Sequence, residues 1–448
     1  MIRALLAVLI IVCIVQSGIV SHMCILLNKT GTLWPRPHAT SKAFTEAGNT
    51  TEWRYDADKH SENIAFDSKQ CDAAFPNLWR EIDRAHAFWT SQLPRQITIN
   101  DTSLDRWGGG VSRCLIHNNR LRILQTKGIF GVEGSQLPER SLAVWQQIHR
   151  ALLGATASGE NLPDIEFPLS VKDLPDTVGG QNGDKSVLWA FSRKPGDPAH
   201  DGIFLVPDFN YWSWKGVAGS FADMRLHGKE ANEIIQEKIP KLVWRGVTWT
   251  NLEVRGNLVE ATRDKSWADV AEFDWSTRSG FISTEDFCSY SFLVHTEVRS
   301  WSGRLKYLLN CRSVTFVHEL EWTTHYYHLL NPNGPDQKFV SVRRDFSDIE
   351  TKIRYLFGDR EAAQRIADNA VATFRDRYLT LAAEACYWRR LMRNWSEVAV
   401  SPRLYQYVKV NLTGNSQVKK RLRGIAFEEV AVSQIRQDWP LDNAELQP

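Results

Sequence analysis

The stretch RSWSGRLKYLLNCRSVTFV, Arg299–Val317, reads as a polar turn, an amphipathic helix and a buried strand. The apolar run CSYSFLVHTEV, Cys288–Val298, precedes it, so the local order is strand, helix, strand. Such an order joins strands that run the same way. Outward from it the pattern repeats. KLVWRGV at 241–247 and KFVSV at 338–342 read as further strands. Three helical patterns follow at 345–358, 359–378 and 382–398. Upstream, RLRIL at 120–124, IEFPLSV at 165–171, VLWAFS at 187–192 and GIFLVP at 202–207 read as strands. SLAVWQQIHRALLGA at 141–155 is helical, and Pro76 opens a helix whose Leu78, Ile82, Ala85 and Trp89 share one face. The chain is therefore expected to form two α/β halves with a helical tail. A ligand then sits at the carboxyl ends of strands, between the halves.

Within the opening stretch, Ser302, Gly303 and Arg304 stand at the expected helix start. That first turn presents unpaired N–H groups and a partial positive charge, a glycine admits close approach, and an arginine supplies a fork of donors that suits phosphate. A solvated cap with a surface arginine is the plain alternative. Arg245, before Gly246 at the end of an apolar strand, suits a ligand or a strand-end ion pair. Asp173 follows a short strand and suits a general base or a turn. In PDFNYWSW, Trp212 and Trp214 are placed to stack on sugar faces or to fill a core.

A length of 448 residues suggests two domains, and a net charge of +2 argues against a nucleic-acid partner. After Arg3 an apolar run extends from Ala4 to Val20 and resumes at Met23–Leu27. It reads as an uncleaved signal anchor, or else as a cleaved signal peptide. Sequons at Asn28, Asn49, Asn100, Asn394 and Asn411 agree with a luminal body, where cysteines beyond the apolar run are free to bridge. The expected domains are an anchor at 1–27, a luminal stem at 28–70, a first α/β domain at 71–235, a second at 236–398 and an extension at 399–448. The expected location is the Golgi or endoplasmic reticulum lumen, as a single-pass type II membrane protein, with secretion as the alternative.

Seven pieces occur in a telling order: LPDIEFPLSVKD, WAFSRK, VPDFNYWSW, VWRGVTW, SWSGRLKYLLNCRSVTFV, FVSVRRDFSDI and ACYWRRLM. Together, over about 161–398, they resemble glycosyltransferase family 90, the fungal capsule-associated xylosyltransferases and Rumi-type protein O-glucosyltransferases. The resemblance implies a GT-B-like pair of Rossmann-type domains, a UDP-sugar donor, inversion at the anomeric carbon and a glycan or protein acceptor. It implies that Asp173 is the catalytic base, that Arg245 and Arg304 face the donor phosphates, and that Glu319 and Glu321 line the nucleotide. It also implies bridges between Cys288 and Cys311 and between Cys71 and Cys386. No cofactor and no metal is expected, since Asp56–Asp58, the one Asp-x-Asp, lies in the polar stem. Two other readings are weighed: a catalytically inactive luminal carbohydrate-binding protein, and a metal-dependent phosphatase or nuclease built on His318, His325 and His328.

Overall fold

The structure, a computed structural model, describes residues 53–175, 187–230, 234–274, 276–412 and 415–433. The apolar N-terminal run, Asn28 and Asn49 lie outside the described residues. No helix among the described residues is long and apolar enough to cross a membrane.

Two sheets carry the fold. The second is all parallel, from β6 (Ile239–Gly246) through β7 (Ala268–Glu272), β8 (Tyr290–His295) and β9 (Val314–His318) to β10 (Val340–Val342). Its spatial order is β7-β6-β8-β9-β10. This is the doubly wound order in which the chain steps from β6 to one edge and then crosses back to β8. The switch point between β6 and β8 leaves a crevice at their carboxyl ends, where such folds bind ligands. The opening stretch therefore sits where its strand-helix-strand reading requires, directly after β8.

The first sheet departs from the Rossmann-type expectation. It contains β1 (Val111–His117), β2 (Arg120–Lys127), β3 (Ile165–Ser170), β4 (Trp189–Ala190) and β5 (Phe204–Leu205). They lie in the order β2-β1-β3-β4-β5, extended at the β2 edge by Ile425–Ala426. From β3 onward the pairing is parallel, but β1 runs antiparallel to both its neighbours. The cause is local. His117 pairs with Arg120 across a two-residue loop in which Asn118 and Asn119 have φ of 50° and 54°. Positive φ at both loop positions is the hairpin geometry that asparagine tolerates.

Two boundaries also move. From Trp53 the chain is already packed: Phe66 is buried, Trp53, Tyr55 and His60 make ring contacts around it, and Asp67 with Gln70 closes a capping box on helix Ser68–Ala74. The expected stem thus ends before residue 53. The helix Leu381–Val398, expected in the nucleotide-binding half, packs instead on the helices of the first sheet. Its Trp388 and Trp395 join Trp189 in one core. Past the hairpin 405–422, Phe427 and Val430 return to that same core.

The bridges implied by the resemblance are both formed. Cys71–Cys386 fastens the tail helix to the N-terminal segment over 315 residues, and Cys288–Cys311 ties the turn before β8 to the segment after the short helix Leu305–Leu308. Cys114 is free and buried. Closing a loop of 23 residues is worth about 3 kcal/mol. The Cys288→Ala/Cys311→Ala variant should lose about that much unfolding free energy. Urea titration measures it, and a loss below about 1 kcal/mol would mean the bridge constrains little. Asn100 is exposed. Asn394 is half-buried inside the tail helix, beside fully buried Trp395, and Asn411 lies in the strand Tyr405–Leu412.

Candidate active site

Asp173 lies just past the carboxyl end of β3. Its carbonyl accepts hydrogen bonds from Ser300 Oγ at 2.6 Å and Ser192 Oγ at 3.3 Å. Ser300 follows β8, so one hydroxyl joins the end of the first sheet to the switch-point loop of the second. The Asp173 carboxylate is half-exposed and pairs with Arg140 Nη1 at 2.7 Å. Arg140 comes from the helix Leu137–Ala157 and packs over the Phe209 ring. Asp164, at the other end of β3, bonds His117 at 3.0 Å, far from this junction in the strand register.

The turn 302–304 is present, but the helix behind it has only four residues, Leu305–Leu308, and Arg304 caps it without a side-chain bond. Every residue from Leu305 to Cys311 is buried. The expected amphipathic helix therefore has no polar face: Lys306 and Asn310, which suggested one, point into the protein. Gly303 has its own reason. A Cβ there would come within 2.1 Å of the Asn210 amide nitrogen and 2.9 Å of the Trp301 ring, so glycine admits a neighbouring side chain rather than an anion. Lys306 Nζ reaches both Asp208 oxygens, at 2.7 and 2.8 Å, and the Gly303 carbonyl at 3.1 Å. Burial is the largest influence on both partners, pulling Lys306 down to about 8 and Asp208 up.

Arg304 extends from this turn to the end of β6, where it donates to the Arg245 carbonyl. Burial draws its guanidinium down to about 10, so it stays charged at neutral pH. Among the described residues no carboxylate pairs with it. Arg245 differs. Its guanidinium is taken up by Asp269 Oδ1 at 2.6 Å and by the carbonyls of Gly280, Trp244 and Asp269. The strand-end ion pair is the arrangement observed. Both arginines nevertheless line one narrow pocket with Trp214, Phe281, Phe287 and Tyr307. Its ≈ 20 Å³ holds about one water.

Sequence reasoning missed three groups. Arg255 is buried and donates to Val247 and Glu297 carbonyls at 2.8 and 3.1 Å, stapling the two loops that flank the switch point. Burial, then repulsion from Arg304, lowers it to about 9. Glu297 is fully buried and accepts from the N–H groups of Glu321 and Trp322 and from Arg344. It organises the loop in which Glu319 and Glu321 were expected to act. Glu319 is exposed, and Glu321 is exposed and bridges Lys194 and Arg344. Arg140 is the third. The signal for Glu297 was available, since it follows an apolar strand just as Asp173 does.

The histidines of the metal-enzyme reading do not converge. His318 Nδ1 donates to the Glu319 carbonyl and its Nε2 accepts from Glu297 N–H, while His328 Nε2 donates to the Asn77 carbonyl. His325 is buried against the rings of Tyr211 and Tyr387. Asp56 caps the helix Ala57–His60 through Asp58 N–H and pairs with Lys59, which accounts for the Asp-x-Asp.

The profile of glycosyl transferase family 90 matches residues 128–423, a span that contains Arg140, Asp173, Arg245 and Arg304. The chain belongs to glycosyl transferase family 90, a family of sugar-transferring enzymes. Among its relatives, O-glucosyltransferase rumi of Drosophila pseudoobscura pseudoobscura is 24% identical over 64% of this chain and 73% of the relative. Protein O-glucosyltransferase 2 of Danio rerio is 25% identical over 54% of the chain and 49% of the relative. The O-glucosyltransferase rumi homolog of Aedes aegypti is 23% identical over 53% and 62%. The chain thus spans between half and three quarters of the length of these relatives. The family 90 match begins at residue 128, upstream of the quoted motifs, and so takes in the helix that supplies Arg140.

Proposed function

We propose that the chain is an inverting glycosyltransferase that moves a sugar, xylose or glucose, from a UDP-sugar to a hydroxyl of a glycan or protein acceptor in the secretory pathway. The observation that carries this reading is the Ser300–Asp173 hydrogen bond. It ties the backbone of Asp173, at the end of the first sheet, to the loop that leads from the switch-point strand β8 to the turn carrying Arg304, a half-buried arginine with no carboxylate partner among the described residues. The two sheets act as the GT-B-like halves, with donor and acceptor meeting between them. The two disulfides and the luminal sequons favour an oxidising compartment.

In the transfer, the acceptor oxygen forms a bond to the anomeric carbon as the bond from that carbon to the diphosphate oxygen breaks. Asp173 takes the acceptor proton, and the electron pair leaves with UDP. Arg304 stabilises the charge that grows on the leaving diphosphate, in a site of low water content where a fixed cation counts for most. Arg245 supports it from behind: its side chain is locked by Asp269 and its carbonyl aims Arg304. Glu297, through the 319–322 loop, shapes the nucleotide side. The layout uses no metal.

The test is UDP release by the purified protein with a panel of UDP-sugars, with and without EDTA. At least one UDP-sugar should turn over, and EDTA should leave the rate within about twofold, since no step of this mechanism runs through a metal. No turnover of any donor would contradict the reading. An absolute need for added manganese would contradict its metal-free layout.

A further inference from the structure

Trp214 lines two pockets. On one side is the arginine pocket of Arg245 and Arg304. On the other is a wider cleft of ≈ 200 Å³ lined by Gln136, Arg140, Gln146, Phe209, Trp212 and Trp214. Arg140 lines the cleft, and its guanidinium holds Asp173 at 2.7 Å. One indole thus stands between the pocket proposed for the donor phosphates and a cleft whose Arg140 pairs with the proposed base. We infer that this cleft is the acceptor subsite and that it takes a sugar ring, so that the acceptor is a glycan. The inference rests on the glycosyltransferase reading above.

The lining has the chemistry for a pyranose. Phe209, Trp212 and Trp214 present flat apolar faces, and Gln136 and Gln146 bring amides that both donate and accept. The walls are fixed. Gln147, on the helix that carries Arg140, donates to the Asp208 carbonyl at 2.9 Å and so anchors the aromatic turn. Arg150 packs over Trp212 while paired with Glu384 at 2.6 Å. The loop after Trp214 is pinned to the second half by Thr284 Oγ1 on the Val217 carbonyl at 3.1 Å. Aromatic faces held in place bind at small entropic cost. Arg140 is the positioning residue: a sugar hydroxyl that enters beside it meets a carboxylate already oriented.

Saturation-transfer NMR on the purified protein, with methyl glycosides of xylose, glucose, galactose and mannose as probes, tests this. At least one glycoside should bind, and its signal should survive saturating UDP-glucose or UDP-xylose. Trp212→Ala should weaken that glycoside by about tenfold or more, while Trp212→Phe stays within about threefold because a ring face remains. UDP affinity should be the same in both variants and in the wild type. The proposal is overturned if no glycoside binds, as a protein acceptor with no sugar to recognise would give. It is also overturned if a UDP-sugar displaces the glycoside, or if Trp212→Ala binds as the wild type does. Absence of UDP binding in the wild type is a separate result, and it counts against the donor reading instead.

Discussion

Asp173→Asn should keep the fold and the affinity for UDP but lose transfer by about a hundredfold or more, the lower range for a general base. The geometry explains the separation. The backbone of Asp173 is held by Ser300 and Ser192 through its carbonyl, which the substitution leaves intact. Asparagine is close to isosteric and keeps an oxygen for Arg140 at the site of the present 2.7 Å bond. It cannot take a proton at neutral pH, so the acceptor hydroxyl attacks without activation. Asp164→Asn is the control. Asp164 sits at the opposite end of β3 on His117, and its loss should leave the transfer rate within about threefold, as for a substitution away from the reacting groups. Steady-state transfer and UDP titration on the two variants measure both effects. Transfer by Asp173→Asn within a few-fold of wild type would remove the base from the mechanism.

Lys306→Met should destabilise the protein by about 3–5 kcal/mol, the usual cost of stripping one partner from a buried ion pair. Lys306 is fully buried, and Asp208 is 4% exposed with both its oxygens on Nζ. Without the ammonium, Asp208 is left charged in an apolar setting or must take a proton. Adding Asp208→Asn should recover much of the loss, because a neutral amide still accepts from Asn210 N–H at 2.8 Å and carries no charge to bury. The pair also does more than hold the fold. Lys306 donates to the Gly303 carbonyl, so its loss frees the turn that aims Arg304, and UDP affinity should fall in Lys306→Met even where the protein is folded. Urea denaturation decides the stability claim, and a single variant within about 1 kcal/mol of wild type would show the pair to be dispensable.

Four strands of the second sheet were legible because each is a short apolar run bounded by turn residues, and their parallel pairing followed from strands alternating with helices; β7, whose ADVAE is neither a continuous apolar run nor fully buried, was missed. The first sheet was less so. RLRILQTK alternates and reads as a strand, but its partner VSRCLIH is buried along almost its whole length and shows no alternation. The two asparagines between them were the available clue. Lys306 and Asn310 misled for a related reason: spacing alone cannot tell a solvated face from polar side chains that find buried partners. The tail helix was recognised as a helix, but its place against the first sheet depends on contacts hundreds of residues away, which local pattern does not carry. The disulfides came from resemblance, since spacing alone leaves several pairings open. At the candidate site, Asp173 and Arg304 were singled out because strand ends and helix starts are marked in sequence. Glu297 carries the same strand-end mark and was passed over, whereas Arg140 and Arg255 carry none, because their importance lies in which carbonyl or carboxylate they meet.

The central claim is that Arg304, a half-buried cation with no carboxylate partner among the described residues, holds the donor diphosphate. Calorimetric titration of UDP into the wild type and into Arg304→Ala tests it most directly. A hydrogen-bonded contact to a charged group is worth about 1.5–3 kcal/mol, so the account predicts that Arg304→Ala binds UDP about tenfold to a hundredfold more weakly, with its fold intact. Equal affinity in the two proteins would contradict it.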